Sequence, residues 1–555
     1  MWAGGKIVGP PVPALRRVLM KTVTIGLDGA TFDIIKPLAQ AGRLPILSRL
    51  MKEGSSAPLR STILPNSFPG WSSCTTGTSE GMHGVFSPFI KNPSSYNVRA
   101  MSGRDIMTRP VWDLLGQHGG RSLVINVPTT YPPEPLAGEM ITGMLTPGLG
   151  SEFTYPQSLK QEILAALPNY IIEPGRNPDK RARADEFRRA SDMHERATQF
   201  LMSRGAWDFL MVVFSVLDRA QHDFWADMDP AHPRHDPSTP PEFREFIHQI
   251  YERLDASVGR LIEKIPGEVR VFVVSDHGFC SELFEVRVNE LLAQRGLLAF
   301  KSPASRRSRA TLKTIKQKIA RRLGTTDSSG NVLDRKVQYG SGFLDEIDWS
   351  RTRAFFAQDK GVWVNLAGRE SQGIVRESDF QSVVEEARNA LLALVSPADG
   401  LGVFERVMSR EEAFNGRGAD RLPDLVMVPR HDEYVYNERP SYGEIIVPAD
   451  STTGTHSRDG IFIAWGKGIE RGGTFKQQPN LRDVGSVALA SLGCPLTADM
   501  DGSPLEEVFT EPVARDRQGS SYRSEEKAAA SGSSVYTSGE EAELRERLRA
   551  LGYIE

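Results

Sequence analysis

The sequence predicts an α/β protein: a doubly wound, mostly parallel sheet with helices on both faces, plus an inserted cap. Three observations carry that expectation. Short apolar runs recur at Thr22–Leu27, Leu123–Val127, Phe209–Phe214, Val271–Val274, Leu425–Val428 and Ile461–Trp465, and they are unbroken rather than alternating, as strands buried on both faces are. Helical patterns lie between them. In the clearest, Phe243, Phe246, Ile247, Ile250, Leu254, Val258 and Leu261 fall on one face. Strands alternating with helices give an α/β core, and 555 residues are too many for one simple core, so an insertion is expected.

Taken in order, residues 1–19 read as an N-terminal extension without fixed structure. They carry Lys6, Arg16 and Arg17 but no apolar run long enough for a signal-peptide core. The catalytic core is expected over 20–279 and 400–511, with the cap at 280–399. Within the cap, Ser302 to Arg322 is basic and polar, Thr325 to Gly330 is loop-like, and Arg353–Phe356 and Val362–Leu366 look like strands before a helix through Glu385 and Leu392. Residues 512–555 form a tail expected to be disordered, closed by a short helix from Glu541 to Leu551.

Bulk composition narrows the partners. A net charge of -3 creates no field that would recruit nucleic acid or an anionic membrane. The run Arg306, Arg307, Arg309 and Lys313 reads as solvated helix surface. No stretch has the length needed to span a bilayer. Cys74, Cys280 and Cys494 sit far apart without metal-type spacing, which fits a reducing, cytoplasmic setting. Oligomeric state is not readable.

The chemistry gathers at strand ends. Asp28 ends the first strand; Asp218 and His222 follow the Phe209–Phe214 strand as D-x-x-x-H; Asp276 and His277 end the Val271–Val274 strand; His456, in T-G-T-H-S, precedes the Ile461 strand. In open α/β sheets ligands bind at the carboxyl edge, and carboxylate with neutral imidazole is a donor set that Zn²⁺ accepts. Taken singly, each motif has a plain reading as turn or cap chemistry. Four in one order, each at a strand end, form a constellation. His83, in G-M-H-G, reads as packing a helix end, and His118, His194, His232, His235, His248 and His431 carry no case.

The nucleophile candidate lies in Leu64-Pro65-Asn66-Ser67-Phe68-Pro69-Gly70-Trp71. Pro69 and the small residues after it place Ser67 at or near a helix N-cap. Serine is a favoured cap without any catalytic role. The same geometry would let backbone N–H groups and the helix dipole hold a phosphate oxygen, and a nearby metal or base would activate the hydroxyl.

The motif order resembles the alkaline phosphatase superfamily, in particular its type I phosphodiesterase/nucleotide pyrophosphatase branch. The carrying segments are G-L-D-G at 26–29, S-F-P-G-W-S-S-C-T-T-G at 67–77 with M-H-G at 82–84, D-R-A-Q-H at 218–222, S-D-H-G-F at 275–279 and G-T-H at 454–456. The stretch from Asp348 to Val375 is similar to a less characterised prokaryotic subgroup of phosphohydrolases or phosphomutases. The resemblance implies a phosphoric ester hydrolase with a phosphoseryl intermediate on Ser67 and two divalent metals, Zn²⁺ first and Mn²⁺ second. Asp28, Asp276 and His277 would hold the metal that also binds Ser67, and Asp218, His222 and His456 the other. A departure is Gly70, where the branch usually carries an Asn that donates to a phosphate oxygen.

Rivals are weighed on the same residues. A sulfatase needs a C-x-P-S-R type site, which Ser67-Phe68-Pro69-Gly70-Trp71 lacks, and a phosphoglycerate mutase needs a G-N-S-E segment that is missing. A phosphomonoesterase or phosphomutase stays open. A binding protein on a degenerate scaffold would require a lost ligand, and none of the six is lost. A small phosphate ester is the expected substrate, with diesters preferred because no Arg or Lys lies between Thr62 and Phe86. Phe68 and Trp71 are candidates for an apolar wall or simply for the core, with the missing Asn at Gly70 and a cation from the cap near Arg353 as the counter-arguments.

Overall fold

The computed structural model describes residues 20–550 apart from 93, 176, 302–343, 358–359, 439–442, 451, 514–516 and 519–533. The expectations for residues 1–19, for the basic run and for the Thr325–Gly330 loop lie outside the described residues.

A central eight-stranded sheet organises the chain. In chain order its strands are β1 (Lys21–Leu27), β2 (Ser55–Arg60), β3 (Ser122–Val127), β4 (Gly138–Thr142), β5 (Thr154–Tyr155), β6 (Phe209–Phe214), β7 (Val269–Val274) and β8 (Asp459–Gly466). They lie side by side as β2-β8-β7-β1-β6-β3-β4-β5. β7, β1, β6, β3 and β4 are mutually parallel, while β8, beside β7, runs antiparallel to it.

Both faces are covered, which explains the unbroken apolar runs. Val23, Ile25, Leu210, Val212, Val271 and Val273 belong to one apolar cluster, into which α2 (Lys180–Met202) and α4 (Phe246–Glu263) pack Phe187 and Ile250. Met211, Val213, Phe272 and Val274 belong to another, with Trp71 of α1 (Ser67–Thr76) and Val484 of α5 (Leu481–Ser491). The period-2 alternation of strand side chains divides each run between the faces.

Register then brings the motifs together. Leu27 pairs with Phe214, and Gly26 with Val274, so Asp28, the start of α3 (Val216–Met228) and Asp276 leave the sheet at one edge. Because β8 is antiparallel, the segment just before it, with His456, starts at that same edge. A two-stranded ribbon, Gly278–Ser281 against Gly454–Ser457, sets Phe279 opposite His456.

Leu425–Val428 corrects an expectation. It does not join the parallel sheet: Leu425–Pro429 pairs antiparallel with Phe404–Ser409 and Val362–Val364, in a four-stranded sheet completed by Ala354–Phe356. A short buried apolar run satisfies either kind of sheet, and only its tertiary partners decide which. Residues 404–429, expected in the core, therefore pair with strands of the expected cap. This second unit is tied to the core side by Tyr96, stacked on Trp349 at 3.4 Å between ring centroids, and by the buried Lys91–Glu370 ion pair at 2.6 Å.

The short closing helix expected at the end of the chain is present and folded down, while most of the stretch expected to be disordered, 514–516 and 519–533, lies outside the described residues. The closing helix runs from Ser538 to Ala550. Its Leu544 and Leu548, with Tyr536, are buried against Phe68, Phe89 and Val98, and the Tyr536 hydroxyl donates to the Met101 and Leu145 carbonyls at 3.0 and 3.2 Å. The apolar positions of this segment are too few to announce a core contact in a mostly charged sequence. Among the described residues, no helix is long and apolar enough to cross a membrane.

Candidate active site

Ser67 is the first residue of α1, not its cap. Asn66 is the N-cap, and its side chain accepts from the Phe68 N–H at 3.1 Å. With Phe68 capped and Pro69 lacking an N–H, the helix end offers fewer backbone donors to an anion than the sequence suggests. The Ser67 hydroxyl is fully buried, 3.3 Å from Asp28 Oδ1 and 3.2 Å from His277 Nε2.

Each imidazole is oriented the same way. Nδ1 of His277, His222 and His456 lies 3.1, 2.8 and 3.0 Å from the carbonyl oxygens of Gly278, Gly454 and Pro65. An Nδ1–H donated to a carbonyl leaves Nε2 as a bare lone pair, the tautomer metal-ligating histidines adopt. The Nε2 atoms of His222 and His456 are only 3.0 Å apart, and both face Asp218 Oδ1, at 3.5 and 3.1 Å. His277 Nε2 faces Asp276 Oδ2 at 3.2 Å and Asp28 Oδ1 at 3.6 Å. Acceptors converging on acceptors repel unless a cation sits among them.

Burial sharpens the point. Asp28, Asp218 and Asp276 are fully buried, and both oxygens of Asp218 and Oδ2 of Asp276 make no hydrogen bond, an arrangement costly in a dry interior. Asp28 is pushed well above the carboxylate range by burial and by the Asp276 and Asp218 charges. Asp276 is raised to about 7 by burial and by Asp218. Asp218 falls well below the usual range, since His222 and Arg219 outweigh the upward push of burial. Burial depresses His277 and His456, while His222 ends above its ordinary value because Asp218 overcomes the downward push of burial. The residues fit divalent cations. The ligand atoms of Asp218, His222 and His456 lie within 4.8 Å of one another, and so do those of Asp28, Asp218 and His277. Asp218 belongs to both groups, and Asp276 adjoins the second.

Several side chains carry different parts from those expected. Trp71 and Phe68 are fully buried and form no exposed wall. Trp71 instead donates its indole N–H to Asp28 Oδ2 at 3.0 Å, and its ring lies where a Cβ on Gly26 would be only 2.3 Å away. Arg219 supplies a buried cation 3.1 Å from Asp218 Oδ2; its place inside D-R-A-Q-H was the available signal. Arg353 is taken up by Glu386 at 2.6 and 2.7 Å. At Gly70 a Cβ would sit 3.0 Å from Asp276 Cβ, so glycine answers a packing demand there. His83 packs a helix end as expected, with Nε2 3.0 Å from Ser73 Oγ. His194, which carries no case in the sequence, is buried, with Nε2 3.0 Å from the Ile171 carbonyl.

The family described as type I phosphodiesterase / nucleotide pyrophosphatase matches residues 22–459, most of the chain and every residue of this constellation. The chain belongs to that family. It is thereby a phosphoric ester hydrolase. Among solved structures, a phosphonoacetate hydrolase from Sinorhizobium meliloti 1021, in complex with phosphonoformate, aligns with a TM-score of 0.52 and 14% identity over 85% of this chain and 96% of that one. A murine ectonucleotide pyrophosphatase / phosphodiesterase 5, an inactive form in complex with AMP, aligns at 0.46 and 12% over 90% and 97%. The likeness to the phosphonoacetate hydrolase concerns the fold alone. No curated protein matches the sequence.

Proposed function

We propose that this hydrolase is a two-metal phosphodiesterase or nucleotide pyrophosphatase that works through a phosphoseryl intermediate on Ser67. The observation that carries the reading is the gathering of three Nε2 lone pairs and three buried aspartates at one sheet edge, with Asp28 and His277 reaching the Ser67 hydroxyl. Asp28, Asp276 and His277 would hold one cation with Ser67, and Asp218, His222 and His456 the other. Zn²⁺ suits the mixed nitrogen and oxygen donors, with Mn²⁺ the alternative. Bound there, two cations would neutralise phosphoryl charge and favour the serine alkoxide.

The chain's own part is positioning. Helix α1 holds Oγ of Ser67 3.3 Å from Asp28 Oδ1 and 3.2 Å from His277 Nε2. Attack forms the Oγ–P bond and breaks the bond from phosphorus to the leaving oxygen, which ends with the proton that Ser67 gives up; water then breaks the Oγ–P bond, its oxygen going to the released phosphate and one of its protons restoring the hydroxyl. Carbonyl contacts at Gly278, Gly454 and Pro65 keep the imidazoles from turning. We also take the inserted cap to run between the ribbon strands, over 282–453, and to supply the substrate rim.

A singly charged diester is the substrate class we favour. Among the described residues, Arg219 is a cation beside the proposed ligands and is occupied by Asp218, so the extra charge of a monoester is not met by it. The test compares kcat/KM for bis-p-nitrophenyl phosphate and p-nitrophenyl phosphate at one pH. A monoester preference of about tenfold, roughly 1.4 kcal/mol, moves the assignment to phosphomonoesterase or phosphomutase.

A further inference from the structure

The three aspartates share a feature. Each has one oxygen held by a hydrogen bond or, for Asp218, by an ion pair without a hydrogen bond, and the other turned toward an imidazole. For Asp28 the donor is the Trp71 indole, at 3.0 Å from Oδ2, while Oδ1 faces Ser67 and His277. For Asp218 it is the Arg219 guanidinium, at 3.1 Å from Oδ2, while Oδ1 faces His456 and His222. For Asp276 it is the Gly29 N–H, at 3.4 Å from Oδ1, while Oδ2 faces His277.

We propose that Arg219 and Trp71 are positioning residues, one for each metal: Arg219 aims Asp218 into its group with His222 and His456, and Trp71 aims Asp28 into the group that includes Ser67. The inference rests on the two-metal reading above and deepens it. A carboxylate turns about its terminal torsion with little resistance, so an aspartate with neither oxygen engaged presents a ligand atom only part of the time. Both positioning side chains are themselves held. Trp71 sits one helical turn after Ser67, so α1 carries the nucleophile and the donor to Asp28 as one rigid piece. Its ring fills the space that Gly26 leaves. Arg219 is 3% exposed, and its Nη2 donates to Met144 Sδ at 3.5 Å. It follows Asp218 directly on α3, so its guanidinium folds back onto its neighbour's carboxylate. Asp276 depends on a backbone donor, so side-chain substitution separates the other two aspartates from it.

Charge and orientation oppose each other at Arg219, which makes the inference testable. A cation beside a metal site repels the metal, and a cation that aims a ligand helps to bind it. The full-length protein is stripped of metal and titrated with Zn²⁺ against a chromophoric chelator. Wild type is expected to show two sites. Arg219→Gln should weaken one of them by about 10- to 100-fold, leave the other within about threefold, and be partly rescued by Arg219→Lys. Trp71→Phe should weaken the other site and spare the one that Arg219→Gln affects. Unchanged or tighter Zn²⁺ binding in Arg219→Gln overturns the proposal. Equal weakening of both sites together with a lowered Tm of the metal-free chain also overturns it, since that pattern marks a structural part only. Should Arg219→Gln fail to fold, Arg219→Lys and Trp71→Phe decide, and wild-type affinities in both overturn it. A wild-type chain that binds no Zn²⁺ defeats the two-metal reading, and this inference with it.

Discussion

Ser67→Ala separates catalysis from architecture at this site. Ser67 Oγ is fully buried and lies 3.3 Å from Asp28 Oδ1 and 3.2 Å from His277 Nε2. Alanine removes the attacking atom and leaves every proposed Asp and His ligand in place. Its effect on folding should be small. One hydroxyl and its contacts are lost, the helix cap belongs to Asn66, and Asp28 Oδ2 keeps the Trp71 donor. Removing one partner of a buried hydrogen bond costs about 1–3 kcal/mol. Turnover should collapse. Without Oγ no phosphoseryl intermediate forms, and a fall of about a thousandfold or more in kcat corresponds to at least ~4 kcal/mol of barrier. The assay pairs steady-state kinetics on an aryl phosphodiester with metal analysis of the same preparation. Metal content near wild type with activity lost is the expected pair. Residual activity within about tenfold, a barrier change of only ~1.4 kcal/mol, removes Ser67 as the nucleophile.

The purified protein should carry two transition metals per chain and lose activity to chelators, with Asp218→Ala and His456→Ala each impaired; one metal with both variants fully active refutes the pairing. Because Asp276 is raised to about 7 and must be ionised to bind, metal affinity measured by competition should weaken as pH falls below about 7, by up to tenfold per pH unit for each proton displaced. In the closing helix, Leu548→Ala should lower stability by about 2–5 kcal/mol, read from denaturant unfolding, because Leu548 is fully buried against the Phe68 cluster; an effect below about 0.5 kcal/mol, the size of an ordinary surface substitution, would place that helix outside the cooperative fold.

Much of this was legible in the sequence because it is local. An unbroken apolar run needs both faces covered, and a polar residue just past such a run lies at the sheet edge, so Asp28, Asp218, Asp276 and His277 could be assigned to one edge from their own neighbourhoods. Chain order of the motifs carried the family. What sequence neighbourhoods do not encode is which distant atoms meet. His456 is brought to His222 across more than two hundred residues by the pairing of Gly278–Ser281 with Gly454–Ser457. Leu425–Pro429 found its partners in the second sheet because a short apolar strand is equally satisfied in either. Trp71 and Phe68 could be read from the sequence as apolar wall or as core, and only the packing of α1 decided for core, one against Gly26 and the other beneath the closing helix. The placement of Asp218 between both groups of ligands, and the guanidinium and indole that turn two aspartates inward, are likewise decisions of the tertiary structure. They depend on side-chain directions and separations of a few ångströms, and periodicity and spacing along a chain carry no such information.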